Sequence, residues 1–187
     1  VADDFVFACK ASRYISHMKK LKEPSEITEK FFTTVDFLGD KLGPLLLQLP
    51  PRWRADPGRL DAFLEAQPTG YRWAVECRDP SWFHADVYAV LRRHGAAFCL
   101  YDFAGTRAPE VLTAPFVYLR LHGPGEAYRG RYGGRTLAGL ARRMRRWTDT
   151  GLDVFVYFDN DEAGHAALDA LRLKDMLHGY GNGRGRV

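Results

Sequence analysis

Residues 116–158 read FVYLRLHGPGEAYRGRYGGRTLAGLARRMRRWTDTGLDVFVYF, and this stretch decides the fold class. It opens and closes on short runs rich in β-branched and aromatic residues, Phe116–Leu121 and Val154–Phe158, which is strand composition. Between them Leu137, Leu140, Met144 and Trp147 recur at helical spacing over Thr136–Thr148, and Gly151 stops the helix before the second strand. Two adjacent antiparallel strands need only a tight turn. A parallel pair needs a longer crossover, usually a helix, and that is what this stretch provides.

The alternation extends in both directions. Runs of strand type lie at Phe5–Cys9, Leu45–Leu49, Trp73–Cys77 and Ala96–Leu100. Helical patterns fall at Pro24–Leu38, Pro57–Ala66 and His84–His94, and a last one runs from Glu162 to Leu177. Asp56 before Pro57 is a cap followed by proline in the first turn, and Gly95 is a helix stop. Six strands alternating with helices predict an α/β domain on a parallel sheet. The connection 102–115, DFAGTRAPEVLTAP, is too broken by Gly and Pro for a helix and predicts a long irregular loop. The ending GYGNGRGRV, residues 179–187, predicts a mobile tail.

With 187 residues and 46% apolar side chains, the chain can bury one sizeable core. No uninterrupted apolar run is long enough to span a bilayer, so no membrane partner is expected. Asp3, Asp4 and Lys10 interrupt any secretory pattern. Cys9, Cys77 and Cys99 are scattered within apolar runs, which reads as free thiols in a reducing compartment and points to the cytoplasm. The net charge of +4 favours anionic partners only slightly.

Read with a period of two, each strand ends on a polar group. Lys10 shares a face with Val6 and Ala8, Gln48 with Leu46, and Arg78 with Glu76 and Ala74. Asp102 follows Phe98 and Leu100, His122 follows Arg120 and Tyr118, and Asp159 follows Tyr157 and Phe155. Parallel strands bring their C-terminal ends to one edge, where α/β folds bind ligands. The expectation is that these groups converge on a ligand site. A structural ring of ion pairs is the competing reading, because Lys10, Arg78 and Arg120 equal Glu76, Asp102 and Asp159 in number.

Individual motifs sharpen this. In KASRYISHMK, Lys10, Arg13 and His17 can collect an anion. In ECRDPSW, Glu76 is a candidate acid or base and Arg78 its charge partner, while Trp82 either stacks on a ligand or plugs the core. RLHGPGEAYRGRYGG sets Tyr128, Arg129, Arg131 and Tyr132 between glycines, a composition suited to phosphate contact and ring stacking, though without the GK[ST] ending of a Walker loop. In ARRMRRW the apolar stripe leaves the arginines on a solvated helix face. Asp161 reads as the cap of the last helix, with Asp159 or Asn160 reaching the pocket. No HExxH, GxSxG or paired CxxC occurs, so no metal ligands are assigned and the cofactor stays unknown.

FVFACKASRYISHMKKLK, KLGPLLLQLP, WAVECRDPSWF, FVYLRLHGP with YRGRY, and DVFVYFDNDEAGHAALDA, in that order, resemble the YecE-like family, a domain of unknown function, over residues 5–177. The resemblance implies an eight-stranded (β/α) barrel of TIM type with no established activity. Its strand-end residues would fall on Lys10, Arg13, His17, Gln48, Glu76, Arg78, Trp82, Asp102, Arg120, His122, Tyr128, Asn160 and Asp161. Family members begin with a strand like GTSGWSY and a second followed by NSTFY; neither occurs here, so residues 5–178 are expected to form the last six strand units of eight. Exposed strand edges and self-association would follow.

The function expected is binding of an anionic, phosphate- or carboxylate-bearing small molecule or nucleic-acid component. Acid/base hydrolytic chemistry is the reaction type expected if there is one, with Glu76, His122 and Asp102 as the candidate catalytic groups. Lys10, Arg13, His17, Gln48, Arg78, Trp82, Arg120, Tyr128, Arg131, Tyr132, Asn160 and Asp161 are the candidate ligand contacts. A non-catalytic nucleic-acid-binding barrel and an inactive fragment are the alternatives.

Overall fold

The hydrophobic runs form strands, the leucine run at 45–47 included although it carries no β-branched or aromatic residue, and the computed structural model describes them within residues 1–178. The tail expected at 179–187 lies outside the described residues. The described chain comprises two compact units. One holds residues 1–99 with 111–114, and the other holds 100–110 with the chain from 115 onward.

In the first unit, β1 (Phe7–Lys10), β2 (Leu42–Gln48), β3 (Trp73–Glu76) and β4 (Ala97–Phe98) lie in that order, all parallel. Helices α1 (Pro24–Val35), α2 (Pro57–Glu65) and α3 (Ala85–Arg93) follow the first three strands. Asp56 caps α2 as its sequence predicts, accepting a hydrogen bond from the Arg59 N–H at 3.0 Å. Register pairs Leu45 with Trp73, Leu47 with Val75 and Val75 with Phe98, so these residues share one face. That face packs on the helices: Trp73 meets Phe32 and Phe63 edge-on, and Phe98 meets Tyr88. Each buried side chain of this size contributes about 1.5–3 kcal/mol, which fixes the register firmly, because a one-residue slip would move the whole set onto the face that carries Gln48 and Glu76.

In the second unit, β5 (Leu100–Phe103), β7 (Phe116–Leu121) and β8 (Asp153–Phe158) are parallel neighbours. A two-residue strand, β6 (Thr106–Arg107), pairs antiparallel with β5 on the outer side. Helices α4 (Gly134–Asp149) and α5 (His165–His178) complete the unit. On α4 the expected stripe is buried: Leu137, Leu140, Met144 and Trp147, joined by Ala141, while Arg142 and Arg146 are exposed.

Four local expectations are corrected. The first strand starts at Phe7 and includes Lys10. The fourth run divides at Cys99, its first part pairing with β3 and its second with β7. The irregular loop after Asp102 begins as a tight hairpin, because Ala104 and Gly105 both adopt positive φ. The last helix begins at His165 after a short turn, Glu162–Gly164, and Asp161 places no side-chain cap on it. The eight strands and flanking helices therefore make an α/β fold on mainly parallel strands.

Candidate functional site

In the first unit the second face of the sheet carries the polar ends. Gln48 is in register with Glu76, and Lys10 is in register with Leu46, one alternation before Gln48. The side chains form a chain of hydrogen bonds. Lys10 Nζ donates to Gln48 Oε1 at 2.7 Å, and Gln48 Nε2 donates to Glu76 Oε1 at 2.6 Å. Arg78 Nε donates to the same Glu76 oxygen, and Cys99 Sγ lies 3.9 Å from the other. Glu76 is fully buried and Arg78 nearly so, whereas Lys10 is exposed. A carboxylate out of water is stable only with such partners.

The turn after β1 adds more basic groups. Tyr14–Met18 forms one wide helical turn that sets His17 near Lys10 and the exposed Arg13. Burial and then the charges of Arg13 and Lys10 hold the His17 imidazole below its ordinary value. Its Nδ1 is hydrogen-bonded to Ser16 Oγ at 2.8 Å. Lys10 also borders an open, largely apolar groove of about 710 Å³ beside α1.

In the second unit, register places Arg120 beside Tyr101 and Tyr157 on one face. Asp159, beyond the end of β8, lies 3.0 Å from Arg120 Nη2 and 3.4 Å from His122 Nε2. His122 is fully buried and packs against Phe103 and Tyr128. Asp102 departs from the expected convergence. It is in register with Leu121, so its side chain takes the opposite face from Arg120 and lies 3.3 Å from Arg107.

The loop between β7 and α4 is folded tightly. Gly123 has φ +127°, and an added Cβ there would sit 2.4 Å from the Arg129 carbonyl oxygen. Tyr132 is buried, and its phenol oxygen accepts the Gly123 N–H at 2.9 Å, so it is a core group rather than a stacking surface. Burial raises its pKa well above the usual tyrosine range. Trp82 is likewise fully buried, donating from Nε1 to the Trp53 carbonyl at 2.6 Å, which makes it a plug. Asn160 is also fully buried and donates to the Gly130 carbonyl and to Asp169. Only Tyr128, Arg129 and Arg131 of the loop's expected contacts are exposed; Arg129 is already paired with Glu126 and Glu162.

One organising residue went unread in the sequence. Asp169 is fully buried on α5, accepting from the Tyr132 N–H at 2.9 Å, from Asn160 Nδ2 at 3.0 Å and from Arg172 Nη1 at 2.8 Å. Arg131 Nε lies 3.8 Å away. The available signal was position: Asp169 sits on the stripe of Ala166 and Leu173, where an unpaired carboxylate would be costly. Among the described residues no group of three or more His, Cys, Asp or Glu is placed to hold a metal ion, and no helix is long and apolar enough to cross a membrane.

The profile of the family described as "Protein of unknown function DUF72" matches residues 1–184. The chain belongs to that family. It is similar to the UPF0759 protein YecE of Escherichia coli K12, 33% identical over 84 residues that span 43% of this chain and 30% of that protein. Among solved structures, a DUF72 family protein from Thermotoga maritima superposes with a TM-score of 0.86 at 28% identity, covering 95% of this chain and 75% of that one. A DUF72 family protein from Enterococcus faecalis shares the fold at a TM-score of 0.80 and 18% identity, covering 93% and 74%. The YecE-like resemblance of the strand-end motifs and the DUF72 membership therefore coincide.

Proposed function

We propose that this DUF72 chain binds a phosphate- or carboxylate-bearing ligand at the C-terminal ends of its strands, with Glu76 as the acid–base group. The observation that carries the reading is the cluster of Lys10, Arg13 and His17 beside the Lys10–Gln48–Glu76–Arg78 chain. Burial first, and then the charges of Arg13 and Lys10, lower the His17 imidazole, and two cations gathered beside it would attract an oxyanion. Glu76, held by Gln48 and Arg78, is positioned to accept or return a proton. In the second unit the Arg120, Asp159 and His122 group supports the same reading at the ends of β7 and β8. Alternating helices and parallel register support a TIM-type barrel as the frame, and the scattered positions of Cys9, Cys77 and Cys99 within apolar runs support a reducing compartment. The nucleic-acid reading weakens because Tyr132 is buried and Arg129 is already paired.

The test is a titration with inorganic phosphate and a short oligonucleotide at matched ionic strength. Wild type, Lys10→Ala, Arg13→Ala and Arg142→Ala are compared after circular dichroism confirms their folds. Phosphate affinity should fall at least about tenfold for Lys10→Ala and Arg13→Ala, as for lost charge contacts near protein, and stay unchanged for the solvated Arg142→Ala. Equal affinities in all four proteins would reject a strand-end anion site. Tighter binding of the oligonucleotide, with Arg142→Ala the most damaging change, would favour surface nucleic-acid binding.

A further inference from the structure

We propose that the second unit holds a separate site, a small cavity between its sheet and α4 that takes a small zwitterion of the α-amino-acid type. Arg120 and His122 occupy one face of this sheet, whereas Asp102 shares the other face with Leu121. A cavity of about 100 Å³ opens on that second face. It is lined by Asp102 from β5, Arg107 from the hairpin, Glu110 from the segment after it, and Arg143 from α4, over an apolar floor that includes Leu119 and Leu140.

Three features specify the ligand. The four charged groups sum to zero, so a net anion or a net cation gains nothing from the total, while a ligand carrying one charge of each sign meets a partner for both. The existing ion pairs are loose: Arg107 Nε lies 3.3 Å from Asp102 Oδ2, and Arg143 Nε lies 3.4 Å from Glu110 Oε2. Each uses Nε and one carboxylate oxygen, short of the two-bond fork that arginine makes with a carboxylate at full strength. Arg143 Nε is moreover buried without an aligned hydrogen-bond acceptor among the described residues, so its contact with Glu110 is charge proximity alone. Volume sets the size. At roughly 30 Å³ per water, the cavity has room for about three waters, or for glycine, alanine or serine, and not for an aromatic amino acid. The ammonium would meet Asp102 or Glu110, and the carboxylate Arg143 or Arg107.

The experiment is calorimetric titration of the full chain with glycine and L-alanine, with acetate, methylammonium and L-phenylalanine as probes of charge and size. Glycine or alanine should bind, acetate and methylammonium at least tenfold more weakly, and phenylalanine not at all. Arg143→Gln and Glu110→Gln should each weaken amino-acid binding at least tenfold, with Arg143→Lys intermediate, and circular dichroism confirms that the variants fold. Absence of heat with both amino acids overturns the proposal on wild type alone. So does acetate binding as tightly as glycine, or Arg143→Gln binding like wild type. Phosphate binding read at His17 should be unaffected by Arg143→Gln, so failure here is distinct from failure of the strand-end reading.

Discussion

Replacing Asp169 by alanine removes one acceptor from three donors at once: the Tyr132 N–H, Asn160 Nδ2 and Arg172 Nη1, at 2.9, 3.0 and 2.8 Å. The first two are enclosed, because Tyr132 and Asn160 are buried, so the Tyr132 N–H loses its acceptor and Asn160 Nδ2 keeps only the Gly130 carbonyl, without water to replace what is lost. A buried donor left unsatisfied costs about 1–3 kcal/mol. The Arg172 contribution is smaller, since its side chain is 29% exposed and can rehydrate. The expected loss is therefore about 3–5 kcal/mol, in the range measured for breaking a buried charge pair. That is a large share of the roughly 5–15 kcal/mol that stabilises a domain. Asp169→Asn should cost less, because it keeps one carbonyl acceptor while facing a second donor with its own NH₂. Asp175→Ala, exposed on the same helix, is the control and should lie within about 0.5 kcal/mol of wild type. Urea unfolding followed by tryptophan fluorescence and far-ultraviolet dichroism reads the difference, with Trp147 reporting from the second unit. If Asp169→Ala unfolds within 1 kcal/mol of wild type, the carboxylate does not tie the β7–α4 loop to α5, and the reasoning about that loop fails.

The other predictions are more local. Lys10→Ala and Arg13→Ala should each raise the His17 pKa toward its ordinary 6.5, and phosphate binding should raise it too, both visible in a proton NMR titration of the imidazole. Because the folded-state value is depressed, the stability linked to His17 is fully present above 6.5 and is lost as pH falls through the folded pKa; denaturation midpoints against pH should show less of this loss in Lys10→Ala. Gly123→Ala must place a Cβ 2.4 Å from a backbone oxygen at φ +127°, and its unfolding free energy in urea should fall by at least about 2 kcal/mol. β1 and β8 each form the last strand of their sheets among the described residues, so the chain should self-associate with rising concentration; a single monomer in sedimentation at every concentration would contradict this.

Much of the architecture was legible because it is written locally. Strand positions follow from short hydrophobic runs, most of them β-branched or aromatic and one of them leucine, and α4 follows from the spacing of Leu137, Leu140, Met144 and Trp147. The Asp56–Pro57 cap and the Gly95 and Gly151 stops, both at positive φ, are backbone chemistry that a few adjacent residues settle by themselves. The polar strand ends were legible for the same reason, and so Lys10, Gln48, Glu76 and Arg78 could be named before their hydrogen bonds were seen.

Tertiary structure decided what depends on partners distant in sequence. A period of two says that Asp102 and Leu100 share a face, but not which face; only pairing with Leu121 turned Asp102 away from Arg120. The fourth run read as one strand, yet its two ends found different neighbours, β3 and β7, because hydrogen-bonding partners are assigned by space rather than by composition. Trp82 and Tyr132 lie in turn-rich stretches that look open in sequence, and both proved buried because each polar tip found a backbone partner, the Trp53 carbonyl and the Gly123 N–H. Asp169 shows the same limit from the other side. On an apolar stripe a carboxylate is costly by itself, and it becomes the anchor of a loop only when Tyr132, Asn160 and Arg172 arrive from three separate places in the chain.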